Sequence, residues 1–222
     1  MALFRNAVFH TSVARLENLP PDQGGEVAFS GRSNAGKSSA INTLAEHNRL
    51  AFVSKTPGRT QLLNYFSLGN GRFLVDLPGY GYAKVPDAVR APWKKLIGDY
   101  LLTRASLRGL VLVMDSRHPM RELDQVLLEW FLPTGKPVHV LLTKADKLSR
   151  SDSIRTERAV RKQLQALAPN YTASLFSSLK KTGMVEAEAV LGPWLAESPD
   201  EAPESAGKHE PRIKKPRDEP GA

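Results

Sequence analysis

The chain has 222 residues, a formal net charge of +8 and no cysteine. The absence of cysteine excludes a disulfide framework, cysteine-ligated zinc, an iron–sulfur cluster and thiol catalysis. No stretch reaches the roughly 18 consecutive apolar residues of a membrane-spanning helix, and the N-terminus lacks the apolar segment of a secretory signal, so we expect a cytoplasmic protein without membrane contact.

Composition divides the chain into three parts. We expect residues 1–24 to be an extension that packs on the core, residues 25–197 to form one domain, and residues 198–222 to be a disordered tail rich in proline and charge. The tail carries five basic and six acidic residues, so the basic excess belongs to the folded part. Such an excess of positive charge favours binding to a polyanion such as RNA. The alternative is that the charge only keeps the protein soluble.

Short apolar runs alternate with longer amphipathic stretches, a pattern typical of βα units. Strands are predicted at residues 26–30, 64–68, 72–76, 109–115, 137–143 and 172–177. Helices are predicted at residues 37–46, 87–103, 121–131, 151–167 and 183–196. The short turn at residues 69–71 predicts an antiparallel hairpin. The expected fold is α/β, with a mostly parallel six-stranded sheet, one antiparallel strand and helices on both faces.

A phosphate-loop motif, GxxxxGK[ST], stands between the first predicted strand and the first predicted helix. Its residues are Gly31, Arg32, Ser33, Asn34, Ala35, Gly36, Lys37 and Ser38. In such a loop, backbone N–H groups and the helix N-terminus bind phosphate oxygens, Lys37 reaches the β- and γ-phosphates, and the Ser38 hydroxyl can ligate Mg²⁺. A structural glycine-rich turn is the alternative.

A second motif, DxxG, ends the predicted strand at residues 72–76. It consists of Asp76, Leu77, Pro78 and Gly79. The Asp76 carboxylate can hold a water on Mg²⁺, and the Gly79 N–H can meet the γ-phosphate. The motif is weak alone because Asp and Gly are common turn residues, and its place after the phosphate loop strengthens it.

Two further segments suit guanine. The first, Thr143-Lys144-Ala145-Asp146, ends an apolar strand, and the second is Phe176-Ser177-Ser178. An ionised Asp146 can accept two N–H bonds from the N1 and N2 edge of guanine, a donor pair that adenine lacks. Lys144 can pack its stem over the base, and the backbone of the second segment can meet the guanine carbonyl.

The four motifs, in this order, are typical of P-loop GTPases. With the strings KTPGRTQ (residues 55–61) and DLPGYGYAKV (residues 76–85), and with TKAD replacing the commoner NKxD, the chain resembles the EngB/YsxC/YihA family of bacterial GTPases. That family belongs to the TrmE-Era-EngA-EngB-Septin-like class. The resemblance extends from about His10 to Leu195 and leaves out the tail.

The resemblance implies a Ras-like G domain that binds GTP or GDP with Mg²⁺. It assigns the metal to Ser38 and Thr60, the latter within a switch segment made of Gly58, Arg59, Thr60, Gln61 and Leu62. It also implies a monomer that takes part in assembly of the large ribosomal subunit, with ribosomal RNA or a subunit precursor as partner, and that is needed for normal cell division and septation.

Three residues are candidates for catalysis: Lys37, Thr60 and Asn34. Tyr80 stands where Ras-like enzymes carry the glutamine that orients the attacking water, so we expect slow GTP hydrolysis. Asn34 occupies a position that resembles that of potassium-dependent GTPases, where it would help to hold K⁺ between phosphates. The alternative is that Asn34 only shapes the loop.

Arg155, Arg158 and Lys162 share one face of a predicted helix and are the candidates for an RNA-binding surface, with a solvated face as the alternative. Two other functions stay open at this stage. One is a P-loop kinase or ATPase with a small-molecule acceptor. The other is an RNA-binding assembly module in which the nucleotide is structural.

Overall fold

A computed structural model describes residues 4–51, 62–80 and 87–196. The strands are β1 (Val8–Val13), β2 (Gly25–Gly31), β3 (Leu63–Gly69), β4 (Arg72–Asp76), β5 (Leu107–Asp115), β6 (Val138–Thr143) and β7 (Tyr171–Leu175). The α-helices are α1 (Lys37–Leu44), α2 (Asp87–Thr103), α3 (Glu122–Phe131), α4 (Arg150–Leu167) and α5 (Met184–Ala196).

The strands form one sheet in the order β1-β3-β4-β2-β5-β6-β7. In this sheet β3 pairs antiparallel with both β1 and β4, whereas the pairs from β4 to β7 are parallel. All seven residues of the central strand β2 are buried, as expected for a strand covered on both faces. The predicted α/β fold is confirmed.

The sheet has seven strands, so the prediction of six strands was wrong by one. The additional strand is β1, which lies within the N-terminal extension and pairs with β3 at the edge of the sheet. Of its six residues only Val13 is buried. An edge strand needs little apolar sequence, so its hydrophobic pattern is too weak to indicate a strand.

The predicted hairpin is present between β3 and β4. Its two connecting residues, Asn70 and Gly71, have φ angles of 53° and 68°. A two-residue turn with positive φ at both positions matches the right-handed twist of the paired strands, and asparagine and glycine are the residues that adopt it most easily. The turn sequence therefore fixes the antiparallel register of β3.

The sheet separates two apolar cores. Helices α2, α3 and α4 cover one face through side chains such as Tyr100, Leu128 and Leu164, and helices α1 and α5 cover the other through Ile41 and Leu191. Ser149 caps the N-terminus of helix α4, where its hydroxyl accepts a hydrogen bond from the backbone N–H of Asp152. Within the described ranges, no helix is both long and apolar enough to cross a membrane.

Because β4, β2, β5, β6 and β7 run in the same direction, their carboxyl ends share one edge of the sheet. In open α/β sheets, ligands bind in the crevice outside these ends. The phosphate loop, the DxxG segment and both guanine segments follow strands that end at this edge.

Candidate functional site

The phosphate loop connects β2 to α1 and is framed by two glycines. A Cβ atom on Gly31 would lie 2.6 Å from the backbone oxygen of Val113, so a larger residue would clash with β5. Gly36, at the N-cap of α1, has a φ of 97°, a left-handed conformation that glycine adopts without steric strain. The chain can therefore turn directly from the strand into the helix, as a phosphate loop requires.

The structure brings Lys37 and Asp76 together. The Lys37 Nζ donates to Asp76 Oδ1, and both side chains are largely buried. Asp76 ends β4, where it pairs with Phe29 of β2, so adjacent parallel strands place the two motifs side by side. The residue predicted to reach the phosphates and the residue predicted to act near Mg²⁺ thus share one hydrogen-bonded unit.

The DxxG segment lies against the phosphate loop. Leu77 donates its N–H to the Phe29 oxygen at 2.9 Å, and Tyr80 donates to the Gly31 oxygen at 3.2 Å. The Ser33 N–H in turn donates to the Tyr80 oxygen at 3.0 Å. These bonds continue the pairing with β2 past the end of β4 and keep Gly79 beside the loop.

The two guanine segments form one connected unit. The Ser177 hydroxyl donates to Asp146 Oδ1 at 2.6 Å, and the Ala145 N–H donates to the Phe176 oxygen at 3.2 Å. Ser177 Oγ also accepts the Lys180 N–H at 3.1 Å. The Asp146 side chain is only 8% exposed. A carboxylate held in this way presents its acceptors in a fixed direction, which suits recognition of a planar base.

Lys144 ties the guanine unit to the phosphate loop. Its Nζ donates to the Asn34 oxygen at 2.7 Å and lies 3.0 Å from Asp115 Oδ2. Hydrogen bonds from Arg117 hold the pKa of Asp115 well below its usual range, and Lys144 lowers it further, so Asp115 stays an anion. The buried Thr143 hydroxyl lies within hydrogen-bond distance of the Ala35 oxygen, which makes a second link between the same loops.

Sequence reasoning missed Asp115 and Arg117 as members of this site. Asp115 ends β5 directly beside Thr143 at the end of β6. The rule that placed Asp76 and Asp146 at strand ends also applies to Asp115, so the signal was present. Arg117, which has no motif of its own, donates to both Asp115 oxygens at 2.9 and 2.6 Å.

Part of the predicted site lies outside the described residues. Gly58, Arg59, Thr60 and Gln61 belong to that part, and Leu62 is the first described residue after it. Asn34 has a φ of 62°, a left-handed conformation in which asparagine is enriched among non-glycine residues. This backbone geometry agrees with a loop-shaping role, and the potassium role of Asn34 stays a prediction.

Two oxygen-bearing side chains at the phosphate loop have the chemistry of Mg²⁺ ligands. Ser38 supplies a hydroxyl in the first turn of α1, and Asp76 supplies a carboxylate that Lys37 contacts. Mg²⁺ prefers a few hard oxygen ligands and retains several waters, so one hydroxyl and one nearby carboxylate fit it better than they fit zinc. Within the described part of the chain, no cluster of three His, Asp or Glu residues could hold a metal ion.

A family model described as "50S ribosome-binding GTPase" matches residues 26–144. A probable GTP-binding protein EngB of Methylobacillus flagellatus is 61% identical over 205 residues, which cover 92% of this chain and 99% of that protein. The chain belongs to the EngB family of P-loop GTPases. Membership of this family makes the chain a GTP-binding protein and a GTPase. The comparisons therefore do not support the alternatives of a P-loop kinase or ATPase and of a module with a structural nucleotide.

Solved structures agree with this EngB-family fold. A probable GTP-binding protein engB matches with a TM-score of 0.62 and 19% identity over 78% of this chain and 99% of that one. An Era structure in complex with MgGDPNP and nucleotides 1506–1542 of 16S ribosomal RNA matches with a TM-score of 0.62 and 22% identity, over 79% of this chain and 58% of that one. At these identities the likeness supports the fold alone.

Proposed function

We propose that this EngB-family GTPase is a monomeric, cytoplasmic assembly factor of the large ribosomal subunit, which binds a ribosomal RNA precursor in its GTP form and leaves after hydrolysis. The observation that carries the proposal is the basic face of α4, where Arg155, Arg158 and Lys162 are all exposed. Their spacing of three and four residues places them along one side of the helix. The ribosome-binding description of the matched family model supports this partner.

The energetics of RNA binding favour such a face. Each lysine or arginine that neutralises a backbone phosphate releases condensed counterions, and this release drives binding without any base contact. On α4, Arg155 also forms a 2.5 Å ion pair with Asp152. Exposed ion pairs contribute little free energy, so an RNA phosphate can displace Asp152 at small cost. We also propose that the protein is needed for normal cell division and septation.

The nucleotide is proposed to lie across the carboxyl edge of the sheet. The loop from Gly31 to Ser38 would bind its phosphates, with Lys37 at the β- and γ-phosphates and Gly79 at the γ-phosphate. The segments 143–146 and 176–178 would hold the guanine. The Lys37–Asp76 contact supports this arrangement, because it places a cation and a Mg²⁺-compatible carboxylate at the loop.

A bound Mg²⁺ would supply charge neutralisation at the β- and γ-phosphates. Ser38 is proposed to ligate it, together with Thr60 of the switch segment. K⁺ is proposed to assist beside Asn34. Measuring GTP turnover in saturating Mg²⁺ with K⁺ exchanged for Na⁺ tests this role, since an unchanged rate rejects it.

Hydrolysis is proposed to be slow because Tyr80 replaces the water-orienting glutamine. The Tyr80 hydroxyl donates to Asp124 Oδ1 at 2.6 Å and is therefore already engaged in a hydrogen bond. In this arrangement no side chain at position 80 is free to orient a water, which supports the proposal.

The guanine assignment is tested with Asp146→Asn. An amide at this position offers a donor where guanine N2 also offers one, so GTP affinity should fall about a hundredfold while xanthosine triphosphate binds more tightly than GTP. Lys147→Ala is the matched control, because its side chain is exposed and contacts Asp146 only at 3.8 Å. If Asp146→Asn weakens the binding of GTP and of xanthosine triphosphate by the same factor, the guanine assignment is rejected.

The ribosomal partner is tested by co-sedimentation with ribosomal particles. The triple variant Arg155→Glu, Arg158→Glu, Lys162→Glu should pellet at least tenfold less in the presence of a non-hydrolysable GTP analogue. A control with the same charge change at exposed positions elsewhere, Arg15→Glu, Arg49→Glu and Lys95→Glu, should pellet as the wild type. Undiminished pelleting of the α4 variant rejects this face.

A further inference from the structure

Tyr80 is anchored in two directions. Its backbone N–H and C=O pair with Gly31 and Ser33 of the phosphate loop at 3.2 and 3.0 Å. Its hydroxyl donates to Asp124 Oδ1 at 2.6 Å, on the first turn of α3. One residue therefore connects the DxxG segment, the phosphate loop and α3.

Asp124 is a fixed partner for this hydroxyl. It is 2% exposed, and its other oxygen accepts the backbone N–H of Arg121 at 2.9 Å, which caps the start of α3. Burial raises the pKa of Asp124 and of the Tyr80 hydroxyl. Loss of the bond would leave a buried carboxylate oxygen without its donor, an unfavourable state that opposes movement of Tyr80.

Gly79 is the residue that this anchoring positions. A Cβ atom on Gly79 would lie 3.4 Å from both the Gly31 oxygen and the Ser33 nitrogen, an ordinary van der Waals distance, so Gly79 lies against the phosphate loop. Gly79 stands between Tyr80, held on α3, and Leu77, whose N–H bonds to Phe29 at 2.9 Å. Its N–H therefore has little freedom in the described structure.

We propose that the Tyr80–Asp124 hydrogen bond is a positioning contact that holds the Gly79 N–H at the position of the γ-phosphate of bound GTP. The contact thereby raises the affinity for GTP relative to GDP. This inference rests on the proposed contact of Gly79 with the γ-phosphate. GDP lacks that phosphate, so the contact acts on one nucleotide only. A contact of this kind changes a ratio of affinities, whereas a purely structural contact changes stability.

Tyr80→Phe tests the inference because it removes only the hydroxyl. The full-length protein is titrated with fluorescent GDP and with a fluorescent non-hydrolysable GTP analogue. We expect the GTP-analogue affinity to fall at least fivefold while the GDP affinity changes less than twofold. An unchanged ratio of the two affinities, or a ratio that shifts toward GTP, overturns the inference.

Tyr65→Phe is the matched control. It removes another buried tyrosine hydroxyl, which donates to Glu26 at 3.3 Å at the opposite end of β2. This variant should lose stability without changing the affinity ratio, and a ratio changed as in Tyr80→Phe also counts against the inference.

The same titrations separate the inference from the proposed function. A wild-type protein that binds neither guanine nucleotide contradicts the proposed nucleotide site. A wild-type protein that binds both, with Tyr80→Phe indistinguishable from it, contradicts only the positioning role of the Tyr80–Asp124 bond.

Discussion

The Lys144 Nζ donates to the backbone oxygen of Asn34 at 2.7 Å and so joins the guanine loop to the phosphate loop across 110 residues of sequence. Lys144 also lies 3.0 Å from Asp115, which Arg117 holds by two hydrogen bonds. The loops that would bind base and phosphate are thus fixed to each other by side chains. Neither loop can shift without breaking a charge-assisted bond.

Lys144→Ala should weaken GTP and GDP about equally, by roughly tenfold, because it breaks the charge-assisted bond between the two loops. Titration with fluorescent forms of both nucleotides measures this. Lys147→Ala, which removes a neighbouring exposed lysine, should stay within twofold of the wild type. A loss confined to GTP would instead place Lys144 at the γ-phosphate.

Ser177→Ala should weaken both guanine nucleotides about fivefold. The Ser177 hydroxyl orients Asp146 at 2.6 Å, and its removal lets a nearly buried carboxylate rotate away from the base edge. Ser178→Ala, at the adjacent half-buried serine, is the control. Equal affinities of the two variants would mean that Ser177 does not position Asp146.

Much of the fold was predictable because its strands and helices follow simple rules. The run from residue 109 to 115 is almost continuously apolar, and its first six residues are all buried in β5. The short turn at residues 69–71 predicted the reversal of direction between β3 and β4. The GxxxxGK[ST] motif located the phosphate loop because its glycines meet geometric needs that few other residues satisfy.

The remaining features depend on contacts between distant residues. The strand β1 forms because it pairs with β3. Its residues are mostly exposed, so its sequence lacks the hydrophobic pattern that indicates a strand. The Tyr80–Asp124 bond joins residues 44 positions apart, and nothing near Asp124 in the sequence distinguishes it from an ordinary residue of a helix first turn. Such pairs follow from the sheet order, which a single sequence does not contain.

Gly183→Ala should destabilise the protein by about 2 kcal/mol. Gly183 has a φ of +81°, and a Cβ there would lie 2.0 Å from the Leu175 oxygen, so alanine must distort the loop that carries Ser177. Urea denaturation measures the change. Gly192→Ala is the control, because apart from its chain neighbours no heavy atom lies within 4 Å of its Cβ position in α5. The helix propensity gained from alanine is opposed by crowding against the following Pro193, so its stability should stay within about 1 kcal/mol of the wild type.

His139 should make the stability of the protein depend on pH. It lies in β6, 1% exposed, with its ring nitrogens 2.8 and 2.9 Å from the hydroxyls of Thr172 and Ser174. Burial, together with the smaller effect of the positive charge of Arg161, lowers its pKa to about 4. The folded protein therefore keeps His139 neutral at a pH where the unfolded chain already binds a proton.

The direction of the effect follows from this difference. The histidine of the unfolded chain titrates near pH 6.5. As the pH falls from 6.5 toward 4, the unfolded state binds a proton at His139 and the folded state does not, so the free energy of unfolding decreases. The loss at pH 5.5 relative to pH 7.5 should be about 1 kcal/mol. His139→Gln, which can hydrogen-bond to both hydroxyls but does not titrate, should lack this part of the decrease. Urea denaturation of both proteins at the two pH values measures it, and parallel decreases would show that His139 is not the group responsible.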